Sequence, residues 1–235
     1  TITNSIKGKE GTKVNIGILR NGEELNFEIE RKTVEVKHVT SQKLENNIGY
    51  ISIASFEGDV STQFENAYND LANQGITSLI IDIRNNGGGI VDEAIDIAEM
   101  MTDKGQTLLI ESDKNGDEEV ITSEKDKTIT MPIVLLVNEY SASASEILAG
   151  ILKENVEKAT LIGNTTYGKG VIQTLYPLTD GSGIKITTNE YFTPNHNKIN
   201  KIGVEPDIKI DDYLYTGTFD LENDTQLKKA IEELE

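Results

Sequence analysis

From Asn47 onward, short apolar runs alternate with longer stretches of helical period, and no other feature constrains the fold as strongly. Ser78-Leu79-Ile80-Ile81-Asp82-Ile83 and Ile133-Val134-Leu135-Leu136-Val137 are nearly continuous apolar runs. A strand of that kind is buried on both faces, as in a sheet covered by helices. Between these runs, Val60 to Asn73 places Val60, Phe64, Ala67, Tyr68 and Leu71 at helical spacing. Ile90 to Met101 does the same with Val91, Ala94, Ile95, Ala98 and Met101. A third helix is expected from Ser145 to Lys153. Ile48–Ile53, Thr160–Gly163, Val171–Tyr176 and Ile184–Tyr191 read as further strands. The pattern predicts an α/β domain with a mostly parallel or mixed sheet and helices packed on it.

The flanks read differently. Residues 1–36 hold two alternating runs, Lys13 to Leu19 and Leu25 to Ile29, joined across Asn21-Gly22, a strong hairpin signal. A single hairpin is too small to be stable alone. Residues 37–45 are polar and read as a linker. Residues 211–235 read as an acidic tail ending in a modest helix, Thr225 to Leu234. The opening residues resemble the middle of a sequence rather than a start, so targeting information is expected to lie outside this chain. The longest clean apolar run, Ile133 to Val137, falls far short of the roughly 20 residues a spanning helix needs.

Composition removes several chemistries. There is no Cys, which excludes a thiol nucleophile, Cys-based metal sites and disulfides. The two histidines, His38 and His196, are too few and too isolated for a multi-histidine metal centre. A formal net charge of −18 argues against duplex nucleic acid as a partner and reads as a solvated surface.

Three segments are able to carry chemistry. Asn138 to Glu146 is a run of small residues between a buried strand and a helix. A hydroxyl there is exposed at the sheet edge, beside helix N–H groups suited to a developing oxyanion. The same run, Ser143-Ala144-Ser145-Glu146, also fits the S-x-x-E capping box, a purely structural role. Gly163 to Gly170 matches G-x-x-x-x-G-K but then has Gly170 where a phosphate-binding loop needs Ser or Thr, and a strand follows instead of a helix. What remains is a lysine held between glycines, or a solvated loop lysine. Gly87-Gly88-Gly89 follows a buried strand and is able to aim N–H groups outward, or is simply a tight turn. With no Cys and scarce His, a serine hydrolase built from these pieces would need lysine as its base. Such a lysine must be desolvated, because the ordinary side chain is protonated at neutral pH.

Taken together, the motifs resemble those of the S41 serine peptidases, the C-terminal processing or tail-specific proteases. Asp82 to Gly89 resembles D-L-R-N-N-P-G-G. Ser141 to Ile147 resembles S-A-S-A-S-E-I. Thr166 to Gln173 resembles T-F/Y-G-K-G-x-V/I-Q. Asp180-Gly181-Ser182-Gly183, Tyr191-Phe192-Thr193-Pro194 and Gly203-Val204-Glu205-Pro206-Asp207 follow in the family's order. The resemblance implies a crotonase-like (ClpP/crotonase-type) core over residues 37–210, preceded by the C-terminal half of a PDZ domain over residues 1–36. It implies Ser143 as nucleophile, Lys169 as general base, Gln173 as the residue orienting the lysine, and the backbone N–H groups of Gly88 and Ala144 as oxyanion donors. It implies no metal or cofactor. It implies protein substrates with accessible, apolar C-terminal tails, no nucleic acid, and an extracytoplasmic setting. A membrane-anchored parent and homo-oligomers are compatible with it. The alternatives are a peptide-binding fragment or scaffold of the same family with weak or no turnover, and a nucleotide-binding protein, which Gly170 disfavours. The sequence departs from the pattern at Gly87, where many members have Pro, at one extra residue around Asn155–Glu157, and at Asn195-His196-Asn197, which makes His196 a loop variant. In an extended strand, the four residues from Lys169 to Gln173 span about 13 Å. A direct contact between them therefore requires the backbone to coil.

Overall fold

The computed structural model describes residues 2–33, 36–211 and 219–235. The chain divides into two compact units, one up to Lys37 and one from His38 onward.

The first unit contains helix α1 (Ile2–Ile6) and strands β1 (Lys13–Arg20) and β2 (Glu23–Glu30). The strands pair antiparallel, with Val14 opposite Ile29, Ile16 opposite Phe27 and Ile18 opposite Leu25. Asn21 and Gly22 both have positive φ, 52° and 83°, as the mirror-image two-residue turn requires. The Arg31 guanidinium ties the ends together by donating to the carbonyls of Ile6 and Lys13.

The second unit begins with β3 (Val39–Lys43), β4 (Ile48–Ile53), α2 (Val60–Asn73), β5 (Ser78–Asp82) and α3 (Val91–Glu99). The hairpin β6 (Thr107–Asp113) and β7 (Glu118–Thr122) follows, then β8 (Ile133–Val137), α4 (Ala144–Asn155) and β9 (Ala159–Gly163). A second hairpin, β10 (Val171–Pro177) and β11 (Gly183–Phe192), precedes β12 (Ile208–Lys209) and α5 (Thr225–Leu234). The main sheet has order β12-β9-β8-β5-β4-β3, and β10-β11-β6-β7 form a separate antiparallel sheet. All neighbours in the main sheet run parallel except the edge strand β3, which is antiparallel to β4. The predicted α/β class with a mixed sheet is the observed one. The parallel arrangement brings the C-terminal ends of β5 and β8 to one edge, where connecting loops form a crevice.

Period-two alternation explains how each strand serves two layers. Ile51, Ile53, Leu79, Ile81, Ile133, Leu135 and Val137 face a core shared with α2, α3 and α4. Ile48, Tyr50, Ile80, Val134, Leu136 and Ile162 face the opposite way, against Leu227 and Ala230 of α5. At about 1.5–3 kcal/mol for each large side chain fully removed from water, that second layer is a substantial part of the fold. Two readings of the flanks change accordingly. The helix at 225–234 forms where the sequence places it, but it covers a sheet face rather than ending a solvated tail; residues 212–218 of that tail lie outside the described residues. The polar stretch read as a linker contains β3. Its hydrogen bonds come from β4, and an edge strand with Thr40 to Lys43 exposed needs no apolar pattern of its own.

Candidate active site

The crevice above β5 and β8 is built from two loops stitched to each other. The first, residues 83–90, follows β5. The second, residues 138–143, links β8 to α4. Ser141 Oγ donates to the Ile83 carbonyl at 2.8 Å and accepts from Asn138 N–H at 3.0 Å. The Asn86 carbonyl accepts from Ala142 N–H at 3.0 Å and from Ser145 Oγ at 2.8 Å. Asn85 and Asn138 exchange bonds, 2.9 Å from Asn85 N–H to Asn138 Oδ1 and 2.8 Å back from Asn138 Nδ2. The small residues between Ser141 and Ser145 are what lets the loops approach so closely.

Ser143 is the N-cap of α4, with φ 57° and ψ −118°. For a residue carrying a Cβ this is a strained conformation, costing of order 1–3 kcal/mol, and it persists only where the surroundings impose it. They do so here: a Cβ placed on Gly88 would lie 2.6 Å from the Ala142 carbonyl oxygen and 2.8 Å from Ser143 Cβ. Gly88 has φ 98°, so both its lack of a side chain and its backbone are required. Ala144 is fully buried, and its N–H is one of the first-turn donors for which a helix has no internal partner. The Gly88 N–H is engaged by Asn86 Oδ1 at 2.9 Å.

Lys169 lies on the loop 164–170 that leads into β10. Its side chain and that of Ser143 are both half-buried. The two residues are joined through a third. Glu146, in the first turn of α4 and 0% exposed, accepts through Oε2 from Ser143 N–H at 2.9 Å and from Lys169 N–H at 2.8 Å. Its Oε1 accepts from Thr166 Oγ1 and from Gly168 N–H, both at 2.6 Å. Four donors saturate the two carboxylate oxygens. Tyr191 makes a second bridge: its hydroxyl lies 2.5 Å from the Lys169 carbonyl and 3.1 Å from the Ser143 carbonyl, sharing one proton between them. Burial, reinforced by the Glu146 carboxylate, pushes the Tyr191 phenol well above its ordinary range, so it stays a donor.

Residues 47–210 match peptidase family S41. The chain belongs to that family. It is 38% identical over 205 residues to the carboxy-terminal processing protease CtpA of Bacillus subtilis, which covers 87% of this chain and 44% of that protein. It is 37% identical over 208 residues to a carboxyl-terminal-processing protease of Synechocystis, covering 86% of this chain and 48% of that one. Among solved structures, a photosystem II D1 C-terminal processing protease superposes with a TM-score of 0.69 at 33% identity, over 92% of this chain and 59% of that chain. The chain thus spans about half the length of the curated relatives it matches.

In this S41 chain the residues expected at the site fall unevenly. Gly88, Ser143 and Ala144 meet in one place, and Lys169 is bound to it through Glu146. Among the described residues no hydrogen bond links the Ser143 hydroxyl to the Lys169 ammonium. Gln173 is not brought to Lys169. It sits on β10, exposed, and its amide donates to Thr187 Oγ1 at 3.4 Å. The pairing of β10 with β11 slips between Ile172 and Gln173, but the segment remains a strand. A strand after Lys169 also removes the phosphate-binding loop, which has to open a helix. Gly170 is needed for another reason: a Cβ there would lie 2.4 Å from Asn200 N. His196 is exposed, stacked on Phe192 with ring centroids 4.7 Å apart, and pairs with Glu118. Sequence reasoning reads Glu146 only as a capping residue, and the capping geometry is present; it misses that the same carboxylate reaches across to residues 166–169. Asn86 and Tyr191, quoted in the motifs without a role, likewise act on distant partners: Asn86 on Ser145, 59 residues on, and Tyr191 on Lys169 and Ser143, 22 and 48 residues back.

Proposed function

We propose that this chain carries a serine endopeptidase site in which Ser143 is the nucleophile and Lys169 the general base. The observation that carries the reading is the strained Ser143 at the N-cap of α4, tied to Lys169 through one oxygen of the buried Glu146. In the reaction, Lys169 Nζ takes the Ser143 proton as Oγ attacks the scissile carbonyl. The oxygen of the tetrahedral intermediate is met by the N–H groups of Ala144 and Gly88, the latter released from Asn86 Oδ1. Lys169 then protonates the leaving amine, and water, deprotonated by the same lysine, hydrolyses the acyl-enzyme. Gln173 is the residue the family resemblance offers to orient Lys169. With its amide on Thr187, that role requires the Gln173 side chain to leave Thr187. The names of the relatives support protein substrates cut near their C-termini, outside the cytoplasm by the family resemblance. Residues 1–36 are read as the C-terminal half of a PDZ domain, a module that captures chain ends by strand addition.

The engaged Gly88 N–H and the displaced Gln173 favour a second reading, a peptide-binding piece with little turnover. Cleavage of an unstructured protein separates the two. Wild type is expected to cut it, and Ser143→Ala and Lys169→Ala to lose that activity. Undiminished cleavage by Ser143→Ala overturns the nucleophile, and peptide binding by a wild type that does not cleave supports the second reading.

A further inference from the structure

The turn that carries Gly88 is held from below by the far end of the chain. Arg84 lies four residues before Gly88, and its side chain is 1% exposed. Its Nη2 is 2.6 Å from Asp82 Oδ2 and 2.6 Å from Asp224 Oδ2. Nε donates to Asp82, and Nη1 donates to Asp224 Oδ1 at 2.9 Å and to Gln226 Oε1 at 3.2 Å. Asp82 is itself oriented by the Tyr50 hydroxyl at 2.7 Å. Asp224 is the N-cap of α5, accepting from Leu227 N–H at 3.0 Å, and Gln226 is fixed in turn by donating to the Ile210 carbonyl. A planar guanidinium gripped on two edges by carboxylates has little rotational freedom. A buried guanidinium that loses one carboxylate keeps a partly uncompensated charge, and because the Arg84 N–H also donates to Asp82 Oδ1 at 3.0 Å, any shift of the Arg84–Asp82 pair reaches the backbone. That backbone is the start of the turn 84–89, whose next residues contact Ala142 and Ser143.

We propose that Asp224 is a positioning residue for the oxyanion side of the site: through Arg84, the N-terminus of α5 presets the turn that packs the Gly88 backbone against Ala142 and Ser143. The proposal rests on the reading of Ser143 as nucleophile. It gives the C-terminal helix a role in the reaction beyond covering the sheet.

The test compares wild type with Asp224→Ala, Asp224→Asn, Ile231→Ala and Ser143→Ala in the 235-residue chain, by peptide cleavage kinetics and residue-resolved amide exchange. Asp224→Ala is expected to lower kcat about tenfold to a hundredfold with KM nearly unchanged, since losing one oxyanion donor outright costs about 10²–10³. The amides of Asn85, Asn86 and Gly88 are expected to exchange about tenfold faster or more, while those of Leu79 to Ile81 in β5 keep their protection. Asp224→Asn, which keeps an oxygen for Leu227 N–H and Arg84 Nη1 but sets an NH₂ against Arg84 Nη2, should recover part of both readouts. Ile231→Ala, which loosens α5 away from Arg84, should lower Tm without moving either. If Asp224→Ala leaves the exchange of the turn as in wild type, or speeds it with kcat intact, or if Ile231→Ala reproduces its effect on kcat, the positioning role is wrong. If Ser143→Ala still cleaves, the catalytic reading fails instead, whatever Asp224 does.

Discussion

Replacing Glu146 by Gln changes one atom and tests the organisation of the site. The carboxylate accepts four hydrogen bonds, two on each oxygen, from Ser143, Lys169, Thr166 and Gly168. An amide has one oxygen, so its NH₂ must face one of the two donor pairs. Turned toward Ser143 and Lys169, it strands two backbone N–H groups. Turned the other way, it strands only Gly168 N–H, because the Thr166 hydroxyl, already accepting from Val204 N–H at 2.7 Å, is free to rotate and accept. The second orientation is the cheaper one. A stranded buried donor costs about 1–3 kcal/mol, and the remaining bonds lose their charge assistance, about 1 kcal/mol in total, so about 2–4 kcal/mol is expected. Against a typical stability of about 5–15 kcal/mol the protein survives the change and can be assayed folded. Urea unfolding gives the stability loss and peptide cleavage the rate. Because the surviving oxygen still holds Ser143 and Lys169, Glu146→Gln should keep measurable turnover, whereas Glu146→Ala, which releases all four donors, should lose it. A Gln variant as stable as wild type refutes the four-donor account. An Ala variant with wild-type kcat refutes the claim that Glu146 joins the two halves of the site.

Two further outcomes follow from individual positions. Gly88→Ala puts a Cβ at φ 98° and 2.6 Å from the Ala142 carbonyl oxygen; it should destabilise by about 1–3 kcal/mol and abolish cleavage, and full activity in a folded variant would remove Gly88 from the site. The hydrogen bond to Glu118 raises the pKa of His196. Its contribution to stability is therefore complete below the unfolded value of about 6.5 and lost as pH rises through the higher folded value. An NMR titration of His196 should fall back toward the ordinary midpoint in Glu118→Gln, and an unchanged midpoint would assign the shift elsewhere.

What could be read from the sequence separates cleanly from what could not. β4, α2 and α5 begin and end where apolar spacing puts them, because each buries a face whose period is local. The loop from Ser141 to Ser145 was legible for a related reason: it must be small to pass Asn86 and Gly88, and smallness is visible in a string of letters. β3 was not legible, because its partner β4 supplies the order and its own side chains are polar. Glu146 and Asp224 are harder cases of the same kind. Each fits a complete local explanation as a helix cap, and each cap is indeed formed. Each then reaches far along the chain, Glu146 to Lys169 and Asp224 to Arg84, 23 and 140 residues away. A residue that satisfies a local rule gives no sign in the sequence that a distant donor also claims it. A carboxylate has more lone pairs than a cap uses, and burial leaves no water to take the rest. Buried acidic caps in a chain this rich in surface acids are therefore the places where long-range structure is to be looked for.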